Sequence, residues 1–150
     1  MEGIRKIMVL ALEVRNCRQT VHQGISLAKL LEAQLFILHV EHNPFGAEGW
    51  NLPLLSLDED YVDLVKEAKS ELDRILSAEK ADGLPVREII VRGEPEKMVR
   101  GAVEREGIDL LIAPAHEESR LEHFLFGRIN ESILRNMPCS VLFVKENPSS

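Results

Sequence analysis

The sequence predicts a single doubly wound α/β domain, with five parallel strands and four covering helices. Three observations predict it. Continuous apolar runs such as Ile7–Leu12 read as strands covered on both faces. Between these runs the apolar residues recur at three and four, the period of a helix packed along one side. The connections are also long enough for right-handed parallel crossovers, so the order is βαβαβαβαβ. In such sheets a ligand crevice forms at the carboxyl ends of the strands.

Each element has its own signal. Ile7–Leu12 is the first strand. Asn16 stands where an N-cap belongs, and Val21, Ile25, Ala28 and Leu31 give the inner stripe of a helix over Cys17–Ala33. Leu35–Val40 is the second strand. The stretch after it carries Pro44, Gly46, Gly49 and Pro53 without a clear period, and reads as a loop. Its core, Pro44–Leu55, holds the single tryptophan, Trp50, either as a docking residue or as cover for a sheet end. Ser56-Leu57-Asp58-Glu59 fits a capping box, and Tyr61, Leu64, Val65, Ala68, Leu72 and Ile75 continue into a long helix that Asp82-Gly83 ends. Val86–Val91 is shorter and half-polar, as suits a sheet edge.

Pro95 sits where a first helical residue belongs, Met98, Val99, Ala102 and Val103 point inward, and Gly107 stops the helix. Leu110–Ala113 is a third strongly apolar strand. A polar loop, Pro114–His123, leads to a helix near Leu125–Asn136 that Pro138 closes. Val141–Val144 is the last strand, and its place in the winding puts it at a sheet edge. The domain is expected over 1–146, with 147–150 as a polar tail.

Composition narrows the function. A chain of 150 residues buries about 70% of its unfolded surface and needs no staples. Lys plus Arg total 18 against 25 for Asp plus Glu, a net charge of -7. A surface this acidic repels phosphate backbones, so no nucleic-acid partner is expected. Two cysteines, Cys17 and Cys139, make no disulfide framework and suit a reducing compartment. The apolar run Ile7–Leu12 is too short for a signal core or a membrane span. A cytoplasmic domain without a membrane partner is expected.

The common chemical motifs are missing. GxxxxGK[ST], GxGxxG and GxSxG do not occur. The histidines fall at no zinc-like interval, so no metal site is expected and each is read as satisfied or solvent-facing. Cys17 would gain reactivity at a helix N-terminus, whereas Cys139 reads as inert packing. With no nucleophile–base pair evident, no catalytic residue is assigned.

The stretch from Asp109 to Lys145 is the most informative. Asp109-Leu110-Leu111-Ile112, His116, Gly127, Leu134 and Pro138-Cys139-Ser140-Val141-Leu142 fall in register with the C-terminal half of the universal stress protein family. Arg92-Gly93-Glu94-Pro95 is similar to the family's Gly-x-Pro, and Leu38-His39-Val40 to its Leu-His-Val. The resemblance covers nearly the whole chain. It implies the doubly wound fold, a homodimer paired through Val141–Val144, and a nucleotide site after the first and fourth strands.

The departures bear on that site. Nucleotide-binding members carry G-x2-G-x9-G-[ST], and here the same spacing falls on Pro114, Glu117, Gly127 and Arg128. Pro114 offers no N–H. Glu117 places a carboxylate where triphosphate charge would lie, a repulsion of roughly 3 kcal/mol per pair at about 5 Å and below about 1 if fully exposed. The family's aspartate aligns with Leu12, and a one-residue slip would put Glu13 in its place. Arg128 is either an anion clamp or an internal partner of Glu117, Glu118 or Glu13. The candidate ligand residues are therefore Glu13, Val40, Gly93, His116, Gly127 and Arg128. The expected function is a non-enzymatic, dimeric regulatory module of stress response with an unidentified client and no cofactor, ATP and AMP being disfavoured. The alternative is a nucleotide- or small-anion-binding switch using a modified site.

Overall fold

The computed structural model describes residues 3–12, 17–41, 54–79, 83–115 and 130–146. Its elements are β1 (Lys6–Leu10), α1 (Arg18–Leu31), β2 (Gln34–Glu41), α2 (Leu54–Ala78), β3 (Val86–Arg92), α3 (Pro95–Glu106), β4 (Leu110–Ala115) and β5 (Ser140–Lys145). Residues 130–135 form helix α4 between β4 and β5. The strands make one sheet in the order β3-β2-β1-β4-β5, every pair parallel. The doubly wound fold expected from the apolar runs is therefore the fold observed. Both expected edges are also observed, β3 at one side and β5 at the other.

The strand period of two sorts the core into two layers. On one face Met8, Leu10, Phe36, Leu38 and Leu111 meet Val99, Ala102 and Val103 of α3 and Ile133 of α4. On the other, Ile7, Val9, Leu35, Ile37 and Ile112 meet Val21, Ile25 and Ala28 of α1 and Leu72 of α2. Residues Ile7 through Ala11 are wholly buried, so the central strand is apolar on both faces and reads as a continuous run. Burying one such Ile, Val or Leu side chain contributes about 1.5–3 kcal/mol.

The amino edge of the sheet is pinned by one carboxylate. Asp109 Oδ2 accepts from the N–H groups of Arg5 and Lys6, both at 2.9 Å, and Asp109 N–H donates to the Lys6 carbonyl at 2.9 Å. Gly107 ends α3 with φ 67°, a left-handed cap that suits glycine.

The boundaries differ from the sequence expectation in ways that have physical causes. β1 ends at Leu10, not Leu12, because the Ala11 carbonyl leaves the ladder for a histidine ring. The N-cap of α1 is Cys17 rather than Asn16. Leu54 and Leu55, assigned to the loop, already belong to α2, so Ser56 lies inside the helix and not at its N-cap as the expected capping box required. Pro114 and Ala115 continue β4. β1–β4 pairing stops at Val9↔Ile112 while β4–β5 runs on to Ala115↔Lys145, so Pro114 lies where β4 has a neighbour on one side only. Trp50 and the tail 147–150 lie outside the described residues.

Helix α1 sits close on β1 at Gly24. A Cβ there would stand 2.3 Å from Val9 Cγ2 and 3.4 Å from Leu35 Cδ1. Alanine would gain about 0.8–1.0 kcal/mol of helix propensity, but overpacking a full core costs about 1–3 kcal/mol, and Val9 has no exposed side to yield to. Gly24→Ala is expected to lower the melting temperature by a few degrees. Thermal unfolding of the Val9→Ala/Gly24→Ala double variant should show less loss than the sum of the single changes.

Glu79, just past α2, straps that helix to α1. Its carboxylate meets His22 Nδ1 at 2.5 Å and Arg18 Nε at 3.4 Å. The His22 hydrogen bond is the main reason that its carboxyl lies below the ordinary glutamate value, with burial opposing it. A depressed folded-state value means that the strap stabilises above the unfolded value and is lost as pH falls through the folded one. Melting temperatures followed from about pH 6 down to about pH 3 should fall less steeply for Glu79→Gln than for the unmodified chain.

Candidate functional site

The carboxyl ends of β1, β2, β3 and β4 and the start of α1 come together at one edge of the molecule. β2 supplies His39, Val40 and Glu41. The Leu38 carbonyl accepts from Ala11 N–H at 2.9 Å, on the β1 side, and the Glu41 carbonyl accepts from Gly93 N–H at 3.2 Å, on the β3 side. Backbone groups alternate along a strand, so the N–H and C=O of Val40 face the β1 side, just beyond the last pair Leu10↔Leu38. Its side chain is core, 4% exposed.

His39 organises this corner. Its ring is buried, with Nδ1 2.6 Å from the Ala11 carbonyl and Nε2 2.7 Å from Glu41 Oε1. A carbonyl only accepts, so Nδ1 carries a hydrogen and donates it. The Nε2–Glu41 contact needs a proton on one of its two partners. His39 is thus a satisfied histidine, as expected, and it joins the ends of β1 and β2.

Gly93 follows β3 with φ 154°, a conformation that side chains rarely adopt, and a Cβ there would lie 3.1 Å from Met98 Sδ. This glycine turns the chain from β3 into Pro95 at the head of α3. Of the six candidate residues, Val40 and Gly93 are adjacent through the Gly93–Glu41 hydrogen bond. Glu13, His116, Gly127 and Arg128, and Glu117 with them, lie outside the described residues.

Two features escaped the sequence. Asn130, at the start of described α4, donates from Nδ2 to the Pro114 carbonyl at 2.9 Å, while its buried Oδ1 has no partner among the described residues. More telling is the start of α1. Cys17 gives it no side-chain cap and its first turn holds no acid. The cap comes instead from Glu146, which accepts from Gln19 N–H at 3.1 Å, Thr20 N–H at 2.6 Å and Thr20 Oγ1 at 2.5 Å. The sequence holds no hint of this, since Asn16 offered a local N-cap in its place. Cys17 does stand at the helix start but is 1% exposed, and burial pushes the Cys139 thiol up.

No three His, Cys, Asp or Glu among the described residues are placed to hold a metal ion. None of the described helices is long and apolar enough to cross a membrane. An open cleft of about 1100 Å³ lies at the opposite, amino edge, between Arg5, Lys29, Gln34 and Pro85. It is remote from the strand ends and plays no part in this corner.

Comparison with known proteins agrees with this architecture. The profile of the universal stress protein family matches residues 3–145. Universal stress protein MJ0577 of Methanocaldococcus jannaschii is 31% identical over 86 residues, 57% of this chain and 53% of that protein, so the match spans about half of the relative's length. MJ0531 of the same organism is 26% identical over 136 residues, covering 85% and 74% of the two chains. Among solved structures, UspA of Lactobacillus plantarum superposes with a TM-score of 0.74 at 15% identity, over 96% of this chain and 99% of that one. Two further neighbours are complexes: a universal stress protein with cAMP (TM-score 0.64, 17% identity, 97% and 100% covered) and one from Archaeoglobus fulgidus with dAMP (0.58, 14%, 98% and 100%). With the profile matching almost from end to end, on the strand order and crossovers described above, this chain belongs to the universal stress protein family.

Proposed function

We propose that this chain is a non-enzymatic, dimeric regulatory module of stress response, acting in the cytoplasm on a client protein, and that it does not hold ATP. One observation carries the last point: among the described residues, the hydrogen-bonding groups at the start of α1 and at Pro114 that could meet phosphate are already spent. The first free N–H groups of α1 and the Thr20 hydroxyl serve Glu146. Pro114 has no N–H, and its carbonyl is taken by Asn130. Each charge-assisted hydrogen bond forgone costs about 1.5–3 kcal/mol, so two of them lower affinity by powers of ten. Glu117 adds negative charge to the same stretch.

The second reading, a nucleotide-binding switch, is favoured by the Val40 backbone facing past the end of β1 and by the two neighbours held with cAMP and dAMP. Both of those ligands carry a single phosphate and demand less of a phosphate cradle than ATP.

Calorimetry with ATP, ADP and AMP, with and without magnesium, separates the readings. No heat of ATP binding is expected in the low-micromolar range. Tight ATP binding overturns the proposal, and binding of AMP alone establishes the second reading. Recovery of ATP binding in a Pro114→Gly/Glu117→Gly/Arg128→Ser variant would confirm the stated cause.

The dimer is supported by β5, an edge strand with Leu142 37% exposed. An apolar edge of this kind invites pairing with a second copy. Leu142→Asp should shift the chain to monomer at micromolar concentration in sedimentation, with little change in melting temperature. A monomeric unmodified chain would refute the dimer.

A further inference from the structure

The strongest unexplained arrangement is the bond between the start of α1 and the residue that follows β5. Glu146 follows β5 directly, and its carboxylate accepts three hydrogen bonds from Gln19 and Thr20, 126 positions away for the nearer pair. Thr20 is wholly buried, so its hydroxyl has no water to turn to if the carboxylate leaves. Helix α1 supplies no cap of its own, and an anion at a helix N-terminus is further favoured by the helix dipole. β5, for its part, is paired on one side only, with β4, and α1 packs against it. Short edge strands fray unless something holds their ends.

We propose that Glu146 is a latch that holds the edge strand. Closed, it ties the end of β5 to α1 and presents Val141–Val144 as an ordered edge for a second copy. Open, it frees the end of the strand and bares the start of α1 at the carboxyl edge. One residue thus couples the proposed dimer edge to the corner that contains His39 and Val40. The part that concerns assembly rests on the dimer reading given above, whereas the latch itself does not.

The experiment follows amide hydrogen exchange strand by strand in the full-length chain, beside sedimentation of the same samples. Glu146→Ala should speed exchange over Ser140–Lys145 by about tenfold while β1 and β2 are unchanged. Thr20→Val, which keeps the shape and removes one hydrogen bond, should give a smaller increase in the same strand. Unchanged exchange in β5, or an equal rise in every strand, overturns the latch. Glu146→Ala should also weaken self-association. Faster β5 exchange with undiminished association supports the latch and overturns its role in presenting the edge. A monomeric unmodified chain overturns the dimer reading, and the exchange comparison then decides the latch alone.

Discussion

The structure depends on one constraint: β1 is buried on both faces and must have both flanks paired. Its residues Ile7, Met8, Val9 and Leu10 touch no solvent. A strand with no wet side can leave no backbone group unmatched, since each buried orphan costs about as much as a lost hydrogen bond. β2 therefore pairs with it from Lys6 to Leu10 and β4 from Ile7 to Val9, and the helices must divide between the two faces to cover alternate residues. The winding reverses at β1 for the same reason. His39, Val40 and Gly93 lie at the carboxyl ends of the strands, the side on which sheets of this winding form their crevice.

That constraint also explains what was legible in the sequence. Apolar runs at 7–12 and 110–113, and the run at 35–40 broken only by His39, read as strands covered twice, and they gave the fold class. The half-polar pattern of Val86–Val91 marked an edge because one flank of β3 is open. Boundaries were less legible, because they are decided by partners distant in sequence. β1 stops at Leu10 through the ring of His39, and nothing within residues 7–12 announces that. Pro114 looked like a loop residue because a proline inside a strand normally forfeits a bond; it stands past the last β1–β4 pair yet still beside Val144 of β5.

The site was legible only where backbone geometry follows from the ladder. Val40 and Gly93 could be named because strand ends and a Gly-Glu-Pro turn have predictable directions. Glu146 could not, since its importance lies in contact with a helix over a hundred residues earlier, and one more acid near the end of an acidic chain carries no signal. His39 was read as satisfied, which it is, but its two partners and its position joining two strand ends emerge only in three dimensions.

The two sheet edges are not alike. Along β3, Arg87 pairs with Glu106 at 2.7 Å and Glu88 with Lys69 at 2.9 Å, so that rim is lined with charge held in place. β5 carries Val141, Leu142, Phe143 and Val144 between Ser140 and Lys145. Charged side chains along a rim discourage a further strand from docking there. A molecule with one receptive rim and one guarded rim can join a single neighbour rim to rim, and the pair then offers only guarded rims to the solution. In the proposed dimer, growth would then stop at two. The asymmetry of charge between β3 and β5 would in this sense be a terminator, keeping a strongly apolar sheet from becoming the first unit of a fibre.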